Sequence, residues 1–394
     1  MGASQNSEYS GLKMALIQPS ANMDGSAISG FMIAECFRKR NIQVNVIFRS
    51  DGPIRRRYED IGCKTISLPY DNWLRGGSLL RQLRRVWQEY RSSLKLSHYL
   101  GDQKIQLVYV NSFTGYAGAL AGHRMRIPTI WHLRELFSDV GGEMVAPGSA
   151  RPFARFEIER LATNIVAVSQ SVMENLMGKQ DCKKAQIIPN GVPRDFCNRR
   201  PLAKDAFRRQ FGIPSSALLI GALGNVRPVK GYDFLLESFA RIKDLDVVMA
   251  IAGGGDLNSL SKLAVSLGIE KRVHLLQEIE DTRSFYNACD VICVSSRSES
   301  FGRVAIEAYC AGVPVVTTDV GGLADIVKKN ETGLLIPYGD HAALTAALKR
   351  ILTQPELRKN VVKAASKLFQ SEYHHCVFEE RLNRVLAKAL SPEN

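Results

Sequence analysis

Apolar positions along this chain fall in short runs, separated by stretches of helical period. The first run, Met14-Ala15-Leu16-Ile17, leads into a turn with Gly25 and Gly30 and then a helical pattern to about Arg40. Val44-Asn45-Val46-Ile47 reads as the second strand, and further strands are predicted at 107–110, 128–131 and 165–168. Apolar runs of this length alternating with helical pattern describe parallel strands covered on both faces by crossover helices. The prolines and glycine of Ile187-Ile188-Pro189-Asn190-Gly191-Val192-Pro193 break the alternation, and a polar stretch follows to about Ala203. It resumes with strands near 218–223, 247–252, 273–276, 291–295, 313–317 and 333–336, and from Pro355 onward the pattern is helical.

The fold class expected is α/β, with two Rossmann-like, doubly wound domains. The first is placed at residues 1–195 and the second at 196–370; a terminal helix over 371–394 is expected to pack back on the first. A length of 394 residues agrees, because single cores stop growing at about 250–300 residues. No apolar run approaches the ~20 residues of a spanning helix, and residues 1–13 have no signal-peptide core. The expected location is therefore the cytoplasm. The eight cysteines, at 36, 63, 182, 197, 289, 293, 310 and 376, form no C-x-x-C pair and no cluster along the sequence that would build a zinc site. They are expected as reduced thiols, with no metal and no cofactor.

Charge changes this picture for the first half only. Residues 1–200 carry 28 Lys and Arg against 17 Asp and Glu, whereas residues 201–394 carry 24 against 22. A one-sided basic surface attracts phosphates or an anionic membrane. Between Trp73 and Leu100, the apolar residues Leu79, Leu80, Leu83, Val86, Trp87, Tyr90 and Leu94 recur at helical spacing, with Arg81, Arg84, Arg85, Arg91 and Lys95 among them. Such a helix either buries its apolar face in its own domain or lays that face on a membrane, with Trp87 or Trp73 at the headgroup level.

The stretch richest in chemistry is Ser295-Ser296-Arg297-Ser298-Glu299-Ser300-Phe301-Gly302-Arg303-Val304-Ala305-Ile306-Glu307-Ala308. It follows a buried strand and opens a helix, so the amides around Phe301, Gly302, Arg303 and Val304 would stand at a helix N-terminus, a favourable place for a diphosphate. Glu307 follows ~7 Å further along the axis, about the remove of a ribose. Glu299 precedes the helix, facing the group beyond the phosphates. Alone, the two glutamates also fit a solvated acidic pair flanking a helix start.

Glu299 and Glu307 with Phe301-Gly302 between them, followed by Ala311-Gly312-Val313-Pro314 and Gly321-Gly322, resemble the E-x7-E signature of retaining GT-B glycosyltransferases of family 4. The order of Gly224-Asn225-Val226-Arg227-Pro228-Val229-Lys230-Gly231, Ala252-Gly253-Gly254-Gly255 and Thr332-Gly333-Leu334 extends the resemblance over 215–352. In the first half it rests on the early glycine turn with Gly25, on Trp131-His132 and on Pro189-Asn190-Gly191. The resemblance implies two domains facing a cleft and the transfer of a sugar from a UDP- or GDP-sugar, with retention and without a metal. It implies a saccharide or lipid-linked acceptor, as in polysaccharide or glycolipid synthesis; no nucleic acid is expected as a partner, and peripheral contact with the inner face of a membrane is an expectation from the basic helix between Trp73 and Leu100, not from the resemblance.

Carried over by position, Lys230 neutralises the donor diphosphate, Glu299 serves the reacting centre and His132 contacts the transferred sugar. Glu307, Phe301, Gly302, Arg303, Val304, Asn225, Gly253, Gly254 and Gly25 hold the donor. The chain departs from the family at Asn225, where most members have arginine; Arg227 stands nearby as a substitute. Asp244-Leu245-Asp246 spells D-x-D, but in the turn before a strand. Other readings on the same fold are a nucleotide-sugar epimerase and a non-catalytic nucleotide-sugar binding protein. A nicotinamide dehydrogenase is disfavoured because the first turn lacks G-x-G-x-x-G.

Overall fold

The computed structural model describes residues 9–70, 72–74, 79–137, 150–178, 182–277 and 279–391. They divide into two compact units: one holds Met1–Asn190 together with Cys376–Asn394, the other Gly191–His375.

The first unit carries strands β1 (Lys13–Gln18), β2 (Gln43–Phe48), β3 (Lys64–Ser67), β4 (Leu107–Val110), β5 (Thr129–Leu133), β6 (Asn164–Ala167) and β7 (Ala185–Ile187). Between them run helices α1 (Gly25–Arg38), α2 (Arg55–Asp60), α3 (Leu79–Asp102), α4 (Tyr116–Arg124), α5 (Arg151–Leu161) and α6 (Gln170–Met177). All strands are parallel, in the order β3-β2-β1-β4-β5-β6-β7. The order reverses between β1 and β4, and a parallel sheet of this kind offers its ligand crevice at the carboxyl ends of such a pair.

The second unit begins with α7 (Arg194–Asn198) and α8 (Lys204–Gln210), then alternates β8 (Leu218–Leu223), α9 (Tyr232–Phe239), β9 (Val247–Ala252), α10 (Leu257–Ser266) and β10 (Val273–Leu276). It continues with α11 (Thr282–Ala288), β11 (Val291–Val294), α12 (Arg303–Ala311), β12 (Val315–Thr318), α13 (Gly322–Ile326) and β13 (Leu334–Ile336). Helices α14 (His341–Thr353) and α15 (Pro355–Leu368) follow, and a π turn over Phe369–Tyr373 leads to α16 (His375–Leu390). This sheet is also all parallel, ordered β10-β9-β8-β11-β12-β13, and reverses between β8 and β11. The α/β fold and every strand expected from an apolar run are present. The two strands that the apolar pattern did not reveal, β3 and β7, are short sheet edges with half-exposed residues.

Although α16 follows the second unit in sequence, it belongs to the first. Phe378, Leu382, Val385, Leu386 and Ala389 form one helical stripe packed among Met14, Leu16, Val44 and Phe37, and all of them are buried. Lys39 adds an ion pair with Glu379 at 2.8 Å.

The reading of α3 as a helix that buries its apolar face is corrected. The side chains it turns inward are Glu89, Ser93, Leu96 and Leu100. Glu89 accepts a hydrogen bond from the Ala117 amide at 3.0 Å, and Arg124 donates to the Ser93 hydroxyl at 2.5 Å, so polar groups tie the helix to α4. Leu80, Leu83, Val86, Trp87, Tyr90 and Leu94 are exposed, Leu80 at 80%. Trp73 is buried, donates to the Phe113 carbonyl at 3.1 Å and stacks on Tyr116 with ring centroids 4.3 Å apart. Trp87 therefore remains as the exposed tryptophan of this region. Leu79 lies outside the residues whose side chains are described.

Leu382→Ala opens a void in the first unit's core; it should cost about 2–5 kcal/mol, read as a lower denaturant midpoint. An unchanged midpoint would mean that α16 does not stabilise that core.

Candidate active site

The second unit concentrates its polar chemistry at the carboxyl ends of β8 and β11. The loop after β8 is shaped by close backbone approach: a Cβ on Gly253 would lie 2.2 Å from the Gly224 carbonyl oxygen, and Gly253 has φ +155°. The Val226 amide donates to the Gly254 carbonyl at 2.7 Å, and the Gly254 amide donates to the Asn225 side chain at 3.2 Å. Asn225 thus pins the glycine turn after β9, a task the sequence did not reveal. Beside that turn lies a hollow of about 280 Å³, lined by Gly254, Gly255, Asp256, Leu257, Asn258 and Gln277.

Arg227 is exposed and precedes a short 3-10 turn, Pro228–Lys230, that ends in Gly231 at φ +61°. A Cβ on Gly231 would sit 2.3 Å from the Ser295 carbonyl, so glycine is required both for the left-handed backbone and for the close approach. The Ser295 hydroxyl donates to the Lys230 carbonyl at 3.0 Å and the Arg297 amide to the Val229 carbonyl at 2.7 Å. These contacts clamp the loop after β8 to the loop after β11. They bring the Lys230 ammonium to 2.7 Å from Glu299 Oε2, which also accepts from the Ser296 hydroxyl at 3.3 Å. Asp244 of the D-x-D sequence is exposed and paired with Lys349 at 2.5 Å.

Helix α12 opens after Gly302, at φ +106°, which supplies no side-chain acceptor to the amides that follow. Unshared amides and the helix dipole make such an end favourable for an anion. The N-terminus of α1 differs: the Asp24 carboxylate accepts from the amides of Ser26 and Ala27 at 3.0 and 2.9 Å, so an anion beside Gly25 meets negative charge already in place. Phe301 is buried, and Gly322 packs so closely on it that a Cβ would lie 2.5 Å from the Phe301 Cα. One turn into α12, Glu307 is held on two sides: Arg303 donates to Oε1 at 3.0 Å and the Tyr286 hydroxyl to Oε2 at 2.9 Å. Burial, together with that carboxylate, pushes the Tyr286 hydroxyl far above its ordinary value, so it remains a donor. Val304 lies half-buried in the same first turn.

In the first unit His132 lies on β5 and is fully buried. Arg134 donates to its Nδ1 at 3.1 Å, and the Tyr109 hydroxyl lies 2.8 Å from the same atom. Because a guanidinium only donates, Nδ1 is the acceptor and Nε2 carries the proton. Nε2 is buried and has no hydrogen-bond partner among the described residues. Burial, and then the charge of Arg134, hold the imidazole well below its usual pKa, so it is neutral. Arg134 also donates to Asn111 and Asn190, each at 2.5 Å, and Asn111 donates to Gln18 at 2.8 Å. This buried polar chain spans the carboxyl ends of β1, β4 and β5. The sequence reading missed Arg134, Asn111 and Gln18; the available signal was a polar residue at or just past the end of each of three apolar runs.

The two halves of the chain each match a known family. Residues 203–368 match the family described as "Glycosyl transferases group 1", and residues 25–191 match the "Glycosyl transferase 4-like domain". The D-inositol 3-phosphate glycosyltransferase of Stackebrandtia nassauensis is 30% identical over 274 residues, covering 64% of this chain and 61% of the relative. The enzyme of the same name from Corynebacterium jeikeium is 29% identical over 361 residues, 83% of each chain. The chain thus spans less than two thirds of the length of the first of these relatives. Among solved structures, HepE of Anabaena in complex with UDP and glucose superposes with a TM-score of 0.81 at 20% identity, covering 95% of this chain and 99% of that one. Sucrose-phosphate synthase of Thermosynechococcus elongatus gives 0.77 at 19% identity, covering 96% and 98%. With both of its Rossmann-like sheets accounted for and 25–191 and 203–368 matched in order, the chain belongs to the family 4-type glycosyltransferases of the GT-B fold.

Proposed function

We propose that this protein transfers a sugar, with retention and without a catalytic metal, from a nucleotide-sugar to a saccharide or lipid-linked acceptor. The observation that carries the reading is the second unit's arrangement of Lys230, Glu299, the uncapped N-terminus of α12 and Glu307 along one edge of the sheet. The donor diphosphate takes the amides at the start of α12 and the charge of Lys230. Glu307, held by Arg303 and Tyr286, accepts from the ribose hydroxyls, and the base takes the hollow at Gly254, Gly255 and Gln277. Retention follows if the departing diphosphate removes the acceptor's proton on the face it leaves. The protein then acts by positioning and by stabilising charge that grows on the diphosphate, the role given to Lys230. The neutral imidazole of His132 offers its Nε2–H to a hydroxyl of the transferred sugar.

The HepE structure contains UDP and glucose, which supports a UDP-sugar as the first donor to try. The name shared by the curated relatives supports a second acceptor class, a phosphorylated cyclitol. A lipid-linked acceptor is favoured by α3, whose exposed Leu80, Leu83, Trp87 and Leu94 share the helix with the exposed Arg81, Arg84 and Arg91. The Arg91 guanidinium lies 4.6 Å from the centre of the Trp87 ring. Among the described residues no helix is long and apolar enough to cross a membrane. Surface adsorption at the cytoplasmic face, with each basic residue worth about 1 kcal/mol near anionic lipid, is the mode these residues suit.

Transfer of radiolabelled sugar from UDP- and GDP-sugars to lipid-linked saccharide or to inositol phosphate tests the reaction, and nuclear magnetic resonance of the product's anomeric centre tests retention. No transfer and no hydrolysis with any donor would favour a binding protein. Glu307→Ala should weaken UDP or GDP binding about 10- to 150-fold by calorimetry, the loss of a charged hydrogen bond worth about 1.5–3 kcal/mol; unchanged affinity removes the ribose assignment. Lys230→Ala should lower kcat far more than it raises the donor KM, because diphosphate charge is greatest in the transition state. A change confined to KM would refute that role. Sedimentation with anionic vesicles should be strong at low salt, fall as salt rises, and be lost on changing Arg81→Glu and Arg84→Glu. Equal sedimentation with neutral vesicles would point instead to a soluble acceptor.

A further inference from the structure

The cysteines and histidines are scattered along the sequence in a way that predicts no zinc site, yet the second unit gathers three of them, with a further thiol alongside. Cys197 on α7, and His374 and His375 at the start of α16, each bring a ligand atom within 4.8 Å of the others. Cys310, near the end of α12, stands beside this group of three rather than in it: its Sγ is 3.6 Å from that of Cys197, and its side chain must turn toward the imidazoles to become a fourth ligand. Two thiolates on a tetrahedral zinc, with bonds of about 2.3 Å, stand about 3.8 Å apart. The sulfur pair therefore already has nearly the edge length of such a site. His374 has extended backbone between the π turn and α16, which sets the consecutive imidazole rings 4.1 Å apart. His375 is buried and the other three residues are half-buried, so access is restricted without being closed.

We propose that Cys197, Cys310, His374 and His375 form a tetrahedral site for zinc or a similar divalent cation. Two sulfurs and two imidazole nitrogens suit such a cation and do not suit magnesium or calcium, which take oxygen ligands. Four protein ligands leave no open position, so the site is structural and takes no part in sugar transfer. On binding, both thiols lose their protons to solvent and two metal–sulfur bonds form; the cation is neither oxidised nor reduced. The Arg283 guanidinium lies over the ring of Phe196, the residue before Cys197, 5.7 Å from the centroid, and its Nε and Nη1 are buried without hydrogen-bond partners among the described residues. Within the second unit, the ion would tie α7 and the His374-His375 pair at that unit's end to α12, on which Glu307 lies one turn before Cys310.

The test uses the full chain, stripped of metal by chelator under reductant and titrated with Zn²⁺, Co²⁺ and Mg²⁺. Zinc should bind in one equivalent with release of about two protons, one from each thiol. The Co²⁺ form should show the intense visible bands of a tetrahedral ion and a thiolate-to-metal band in the near ultraviolet. Cys197→Ser and His375→Asn should each weaken zinc binding more than ~100-fold, beyond the ~10- to 100-fold cost of losing an outer-shell partner. Cys376→Ser, at an exposed cysteine, should bind as the parent does. Absence of the thiolate band in the Co²⁺-loaded parent chain would overturn the proposal even if the variants fail to fold. So would parent-like affinity in Cys197→Ser, equal competition by Mg²⁺, or a Cys197–Cys310 disulfide and no metal in protein purified without reductant.

Discussion

The ion pair of Lys230 and Glu299, at 2.7 Å, joins the two loops that leave β8 and β11, where the second sheet reverses its strand order. Much of the candidate site follows from how that pair is held. Gly231 lets one loop pass under the Ser295 carbonyl, and Gly322 lets α13 approach so that its amide donates to the Glu299 carbonyl at 2.8 Å. Neither charge is fully dehydrated, with side-chain exposures of 22% and 19%, so the pair avoids the several kcal/mol that deep burial of each ion would cost. Both groups keep part of their hydration, so the Lys230 ammonium can exchange its partner for an incoming anion.

The first unit solves a different electrostatic problem. Arg134 is buried, and four polar neighbours at or just past the ends of β1, β4, β5 and β7 share its charge: Asn111, Asn190, His132 and, through Asn111, Gln18. The same guanidinium fixes the tautomer of His132, and burial, reinforced by that charge, keeps the imidazole neutral. Breaking such a network by removing one member leaves the rest unsatisfied, so the cost exceeds that of a single hydrogen bond.

Legibility in the sequence followed burial. Strands such as β9, buried along its whole length, show as unbroken apolar runs, whereas β3 and β7 pair on one side only and carry half-exposed residues that give no such run. Lys230, Glu299, Phe301 and Glu307 were singled out through the family resemblance, whose motifs fix their spacing, and the fold brings Lys230 and Glu299 into contact. The Arg134 network was not readable, since its members come from separate strand ends that only the sheet order brings together. The choice left open for α3 has a physical root: helical periodicity shows that apolar residues share a face, but not which way the face points. Here Glu89 and Ser93 take the interior by bonding to α4, and the apolar residues are left outside. Trp73, by contrast, was absorbed by the stack with Tyr116 and Phe113.

The placement of α16 makes the first unit discontinuous in sequence, with the second unit threaded between its two parts. During synthesis from the N-terminus, the stretch from Gly191 to His375 is complete before Phe378, Leu382, Val385 and Leu386 exist. Residues such as Met14, Leu16 and Phe37 wait with one wall of their core missing while the later-made domain has all of its own. The ribosome thus delivers the half that starts first as the half that closes last, and its unfinished apolar face is the surface a chaperone would meet.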